Sequence, residues 1–246
     1  MLDESAYLPF AAADLPTGPW LVVAPHPDDE TLGMGGALLL AAGQGIPVDV
    51  VFLTSGDKGG GEGIAPLRER EARAAAKLLG LREVSFWRLP DRGVAADRPT
   101  LARLAQFIAL ARPASVFFPS PVEPHPDHRA AAVIAWEALR GGGFPAAAWS
   151  YEISVQGPAN RLLDISAVAG RKRGAIAAYA SQTAQLPIAE RVLGLNQSRS
   201  WSLPPGVGHA EAFFAWPAED KPLNDLLSDL QAVKLGGEAL PRVGGA

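Results

Sequence analysis

The apolar positions of this chain fall into short runs that alternate with longer amphipathic stretches. Trp20 to Ala24 (WLVVA), Pro47 to Thr54 (PVDVVFLT), Val84 to Leu89 and Ser115 to Phe118 are apolar and β-rich. Near-continuous runs of this kind suit strands buried on both faces rather than strands with one wet side. Four helical patterns follow them. Thr31 to Ala42 is stopped by Gly43 and Gly45, and Pro66 to Leu79 has proline in its first turn and Gly80 after its last. Pro99 to Ala111 is closed by Pro113, and Asp127 to Leu139 by three glycines. Strand and helix alternate four times, which predicts an α/β fold: a Rossmann-like three-layer sandwich with a mainly parallel sheet.

After Gly143 the pattern loosens. Ala146 to Ser154 and Leu162 to Ile165 read as strands, Ala167 to Ala180 as a helix and Glu211 to Trp216 as a late strand. Asp225 to Val233 reads as a terminal helix with Asn224 as its N-cap. With no repeat and no clean linker, residues 1–246 are expected to form a single domain. Its core runs from about 19 to 216, with 1–18 and 236–246 peripheral.

Composition narrows the function classes. Hydrophobic residues make up 48% of the chain, ample for a packed core, and the net charge of −4 comes from interspersed acids and bases. No basic stripe points to nucleic acid. The absence of cysteine excludes a disulfide framework and thiolate-held zinc. Met1 to Thr17 carries Asp3, Glu4 and Asp14 without the positive segment of a secretion signal. No apolar run approaches the roughly 18–20 residues that span a bilayer. A soluble, cytoplasmic chain is expected, with self-association left open.

Chemistry is concentrated in two segments. His26-Pro27-Asp28-Asp29-Glu30 follows the first strand, and His125-Pro126-Asp127-His128 follows the fourth; together they hold three of the four histidines. In doubly wound sheets, sites form beyond the carboxyl ends of strands where the winding reverses, which brings such segments within contact distance. Two imidazoles and one carboxylate make the ligand set of a catalytic zinc, with a position left for water. Asp28 and Asp29 are adjacent, so one serves as ligand and the other as base. A remaining imidazole can steady an oxyanion or protonate a leaving amine. The same donors also make the facial triad of a non-haem Fe(II) oxygenase. A sugar-binding Rossmann-like module without catalysis is a third reading.

The stretch Ala24 to Glu30 with Gly33, Gly35 and Gly36 resembles the first motif of the PIG-L/LmbE-like deacetylases, and His125 to His128 resembles their second. The similarity runs roughly from Trp20 to Trp216. The resemblance implies an LmbE-like fold and a zinc-dependent N-deacetylase acting on a small amino-sugar conjugate, usually of N-acetylglucosamine. It implies Zn2+ as cofactor, with Fe2+ or another divalent metal as the substitute. By position, His26, Asp29 and His128 would bind the metal, and Asp28 would be the general base. His125 would stabilise the oxyanion or act as general acid, and Asp127 would orient a histidine from behind. Arg68, in Arg68-Glu69-Arg70-Glu71, and Asp91, in Leu89-Pro90-Asp91, would contact the sugar.

Other positions stand outside this set. Tyr179-Ala180-Ser181-Gln182 is similar to a later His-x-Ser-Gln segment of the family. Glu123 stands where some members carry a tyrosine that assists the oxyanion. The Gly-rich stretch Ser55 to Gly63 reads as a flexible lid, Trp87 as a candidate pocket wall, and His209 as structural as readily as functional.

Overall fold

The computed structural model describes residues 8–234 apart from 185 and 220. The strands are β1 (Trp20–Ala24), β2 (Val48–Thr54), β3 (Glu83–Leu89), β4 (Ser115–Pro119), β5 (Ala147–Tyr151), β6 (Arg161–Asp164) and β7 (Ala210–Ala215). They form one sheet in the order β3-β2-β1-β4-β5-β7-β6. The first five are parallel, and β7 runs antiparallel to both β5 and β6. The chain winds outward from β1 to β3, then crosses back to β4 beside β1. The winding therefore reverses between β1 and β4, where the two histidine segments leave the sheet.

Alternate residues of each strand enter different cores. Trp20, Val22 and Ala24, with Val48, Val50 and Phe52, pack under α1 (Asp29–Gly43), α2 (Ala65–Leu79) and α5 (Ala169–Ala177). Leu21, Val23, Val51 and Leu53 pack on the other face under α3 (Arg98–Ala111), α4 (Pro126–Gly141) and α8 (Leu223–Lys234). Both faces of these strands are thus dry, the physical basis of their unbroken apolar runs. The helices carry ordinary end signals. Asp97 caps α3 by accepting the Thr100 N–H at 2.9 Å, and Gly80 ends α2 in the left-handed conformation.

The C-terminal third departs from the expected elements. The single helix expected over 167–180 is a short 3-10 turn at Ser166–Val168, then α5, then α6 (Ala180–Thr183). The break falls at Tyr179, whose ring is drawn inward so that its hydroxyl donates to Glu30 Oε1 at 2.6 Å. A further helix, α7 (Ile188–Arg199), carries a weak apolar signal: its buried residues are Val192, Leu193 and Asn196. Helix α8 begins at Leu223, so Asn224 lies in its first turn rather than capping it. The tail 236–246 lies outside the described residues. Among the described residues, no helix is long and apolar enough to cross a membrane.

One buried polar network holds the site-bearing helix. Helix α1 is kinked at Met34 (φ −140°). Beyond the kink, the N–H groups of Gly36 and Ala37 donate to the two Glu211 carboxylate oxygens at 2.7 Å each. Glu211, on β7, also accepts from Lys172 Nζ at 2.7 Å, and Lys172 reaches Asn196 Oδ1 at 3.0 Å. Gly36 is required by this approach, since a Cβ there would lie 2.5 Å from Ile165 and 2.9 Å from Glu211 Oε1. Lys172 and Glu211 are both fully buried. Removing one partner of such a pair strands the other. Glu211→Ala should therefore lower unfolding free energy by about 3–5 kcal/mol, measured by urea denaturation.

Candidate metal centre

The two segments meet through the imidazole of His26. On one side, Asp29 Oδ2 accepts the His26 backbone N–H at 2.9 Å and lies 3.1 Å from His26 Nδ1. On the other, His26 Nε2 sits between Asp127 Oδ2 at 3.2 Å and Asp91 Oδ1 at 3.3 Å. His128 presents Nε2 to the second oxygen of Asp29 at 3.4 Å. Asp29 therefore offers separate oxygens to nitrogens of two imidazoles. The adjacency of β1 and β4 makes this possible, since it places the start of α1 beside the start of α4.

Local backbone explains the aim of each group. Asp28 occupies φ 125°, a region that residues other than glycine seldom adopt. This sharp turn between β1 and α1 sends Asp28 and Asp29 in different directions, and such strain gathers at working sites. Asp28 is met by Arg68 Nη2 at 3.0 Å. Arg68 also donates to the carbonyl oxygens of Pro27 at 2.6 Å and Gly56 at 3.0 Å. Gly56, at φ 63°, leaves room for it: a Cβ there would fall 2.1 Å from Arg68 Nη1. Behind Asp28, Glu30 is fully buried and accepts from Thr31 Oγ1 and Tyr179.

Charge is tightly balanced among the groups of the site. Burial pulls the His26 imidazole down, but Asp127, Asp29 and Asp91 together hold it at about 12. Burial likewise works against His128, which Asp29 and Glu123 hold at about 9. Burial would raise Asp29, yet the facing His128 and His26 keep it well below the carboxylate range. Asp28 goes the other way: burial pushes it up to about 7 in spite of Arg68. His125 is lowered by burial and by the other two imidazoles. Its Nδ1 accepts the Asp127 N–H at 3.1 Å, capping α4, which leaves the proton of the neutral ring on Nε2.

The donor set fits a divalent cation. Each imidazole that faces Asp29 has a carboxylate on the side of its other nitrogen: Asp127 and Asp91 bracket His26 Nε2, and Glu123 Oε2 lies 3.5 Å from His128 Nδ1 without a hydrogen bond to it. That arrangement is typical of metal-bound histidine. A cation would replace the protons that now hold imidazole against carboxylate. Ligating atoms of His26, His125 and His128 also come within 4.8 Å of one another, as do those of His26, Asp91, His125 and Asp127. Neither of these groups includes Asp29, although its carboxylate faces both buried imidazoles.

Several further residues singled out in the sequence have defined places in the structure. Glu123 is fully buried behind His128. It accepts the N–H groups of Ile153 at 2.8 Å and Ser154 at 3.0 Å, and the Ser154 hydroxyl, fastening the loop after β5. The Gly-rich loop is tethered at several points, by Arg68 to Gly56 O, by Lys58 N–H to Asp91 Oδ2 at 2.8 Å, and by Gln182 Nε2 to Gly59 O at 3.1 Å. Trp87 is buried, packed with Leu104 and covered by Arg103 at 4.2 Å from its ring, and it lines a pocket with Arg73 and Phe107 rather than the one at His26. His209 lies at the start of β7, outside both candidate metal groups. The brace formed by Tyr179, Ser181 and Gln182, which also ties to Glu71, carried no chemical signal beyond its likeness to a known segment.

A three-layer α/β sheet with a carboxylate-backed histidine pair at its switch point defines a metal-dependent enzyme class. The chain matches the family described as PIG-L, GlcNAc-PI de-N-acetylase, over residues 21–139. It is 30% identical over 183 residues to a probable N-acetyl-alpha-D-glucosaminyl L-malate deacetylase 2 of Bacillus subtilis, covering 66% of this chain and 82% of that one. The chain belongs to the PIG-L family. Diacetylchitobiose deacetylase of Thermococcus kodakarensis is 31% identical over 134 residues, 51% of this chain and 50% of that protein. The 4-oxalmesaconate hydratase of Pseudomonas putida is 36% identical over 130 residues, 48% and 50%. The chain thus spans half the length of these two relatives. A conserved protein of Thermus thermophilus, TT1542, superposes with a TM-score of 0.73 at 30% identity, over 84% of this chain and 96% of that one.

Glu123→Ala should strand the N–H groups of Ile153 and Ser154. Ile153 is buried and Ser154 exposed, so one buried donor left without an acceptor should cost about 1–3 kcal/mol, read by chemical denaturation of the metal-free protein.

Proposed function

We propose that this chain is a metal-dependent hydrolase that removes the acetyl group from an N-acetylated amino sugar, such as an N-acetylglucosamine conjugate. The observation that carries this reading is Asp29, set between His26 and His128 with carboxylates behind both rings. Family membership supports the acetyl chemistry, since two of the relatives above are named as deacetylases. The hydratase relative shows that similar chains include a different activity. No observation here favours an oxygenase or a binding module without catalysis.

His26, Asp29 and His128 would hold the cation, and zinc suits two imidazoles and a carboxylate. When bound, such an ion polarises a carbonyl and makes water acidic. Asp28 accepts a proton from the attacking water. Burial opposes charge on this carboxyl and Arg68 favours it, a balance that suits a group taking up and giving back a proton. Arg68 holds that carboxylate in place and lines the pocket floor. His125 donates its Nε2 proton as a hydrogen bond to the oxygen that gains charge. Asp127 keeps His26 oriented, and Asp91, on the same nitrogen, stands at the pocket wall within reach of a sugar hydroxyl.

Acetate release from a panel of N-acetylglucosamine conjugates, with and without chelator, tests this reading. Chelator should abolish release, and added zinc should restore it. His26→Ala or His128→Ala should lower bound metal and turnover together, as read by elemental analysis beside the assay. Asp28→Asn should retain metal while turnover drops by roughly a hundred-fold or more, the scale of a lost general base. Full turnover in that variant would remove Asp28 from the role.

A further inference from the structure

The turn that aims Asp28 needs support from outside its own segment. Its φ of 125° and ψ of −30° lie away from the left-handed well that Arg88, Arg92 and Arg112 occupy at φ 56°, 58° and 46°. A residue with a side chain stays in so sparse a region only where its surroundings over-determine it. Each polar group of Asp28 is held. Its N–H donates to Glu30 Oε2 at 3.3 Å, its carbonyl oxygen accepts the Leu32 N–H at 2.8 Å, and its carboxylate accepts from Arg68 at 3.0 Å. The bond from Leu32 belongs to the helix. The other two rest on residues that are themselves held, and both trails lead to the short segment Tyr179–Gln182.

Glu30 is fully buried, so its carboxylate takes its direction from its donors. Oε1 accepts from the Tyr179 hydroxyl at 2.6 Å and from Thr31 Oγ1, which leaves Oε2 to the Asp28 N–H. Two residues on, Ser181 donates its N–H at 2.8 Å and its hydroxyl at 2.6 Å to Glu71. Glu71 and Arg68 are three apart on α2, both buried on its inner face. Gln182 Nε2 donates to Gly59 O, and the Gly59 N–H donates to Gly56 O, the carbonyl that also receives Arg68. Satisfying a buried carboxylate is the ordinary explanation of the tyrosine, and it accounts for Glu30 alone. It does not account for the convergence. Three side chains within four residues reach the backbone of Asp28, the helix that carries its arginine and the loop that receives that arginine.

Building on the deacetylase reading, we propose that Tyr179, acting through Glu30, is a positioning residue for the general base Asp28, and that Ser181 acts on the same carboxylate through Glu71, α2 and Arg68. Neither Tyr179 nor Ser181 lines the pocket at His26. The metal ligands have their own anchors, since Asp29 is fixed by the His26 N–H and ring. Loss of the Tyr179 hydroxyl loosens Glu30, and the Asp28 turn relaxes while His26, Asp29 and His128 keep their places.

The test is a double-mutant cycle on the zinc-loaded full chain, read by acetate release from an N-acetylglucosamine conjugate. Tyr179→Phe keeps the ring and removes only the hydroxyl. It should lower kcat roughly tenfold, the scale of one lost hydrogen bond, with KM and zinc content within about twofold of the parent. In the Asp28→Asn background the same change should cost about twofold or less, because a residue acting through Asp28 has no base left to position. A merely structural hydroxyl would lower kcat by the same factor in both backgrounds. Ser181→Ala should repeat the pattern and serves as the second variant if Tyr179→Phe folds poorly. Amide hydrogen exchange gives a readout that needs no turnover: in Tyr179→Phe, residues 26–32 should exchange roughly tenfold faster while β7 is unchanged. Unchanged kcat, an equal loss in both backgrounds, zinc lost together with activity, or unaltered exchange over 26–32 would each overturn the proposal. No acetate from the parent chain would overturn the deacetylase reading, and the exchange comparison would then decide by itself whether Tyr179 fixes the Asp28 turn.

Discussion

The imidazole of His26 is the point at which separate parts of the chain are tied together. Its Nδ1 faces the first turn of α1 through Asp29. Its Nε2 is held by Asp127 at the start of α4 and by Asp91 in the loop after β3. Those two carboxylates in turn fasten the Gly-rich loop through Lys58 and the backbone of Arg92 and Val94. Four segments far apart in sequence thus depend on one ring. The ring depends on β1 lying beside β4, which follows from the reversal in winding. A buried charge cluster of this kind survives only when every member is paired. The closure of these bonds sets the geometry of the whole site.

Much of the architecture was legible because burial on both faces leaves a simple trace. The first four strands and helices appear as apolar runs and periodic stretches with glycine and proline at their ends, and the structure has them within a few residues. The histidine segments were legible for a different reason: imidazole beside carboxylate behind a buried strand has little to do with folding. The C-terminal third was less so. Helix α7 buries only Val192, Leu193 and Asn196, too thin a stripe to announce itself. Tyr179 breaks a helix whose pattern runs straight through it, because its hydroxyl is needed at Glu30. Such a break is set by a partner nearly 150 residues away, which no local pattern records.

The same limit applies to side-chain roles. Arg68 is expected by resemblance to contact the sugar and Glu123 stands where some members carry a tyrosine, and both are heavily engaged with the protein. Glu123 belongs to the loop after β5 as much as to His128. Arg68 spends three hydrogen bonds on Asp28, Pro27 and Gly56. Sequence position placed them close to the chemistry. Only the tertiary structure could assign each carboxylate and guanidinium a direction.

The bond from Glu211 to the kinked helix has a bearing on how the site comes into being. All the groups gathered around His26 lie before residue 129. The strand that supplies Glu211 comes some eighty residues later, and is the last of the sheet. A growing chain therefore carries every candidate metal-binding group well before it has the support that fixes the helix bearing Asp29. Until β7 is laid between β5 and β6, the Gly36 and Ala37 N–H groups lack their acceptor. Assembly of the centre is coupled to the placing of β7, so a chain without that strand would hold the ligands without the aim.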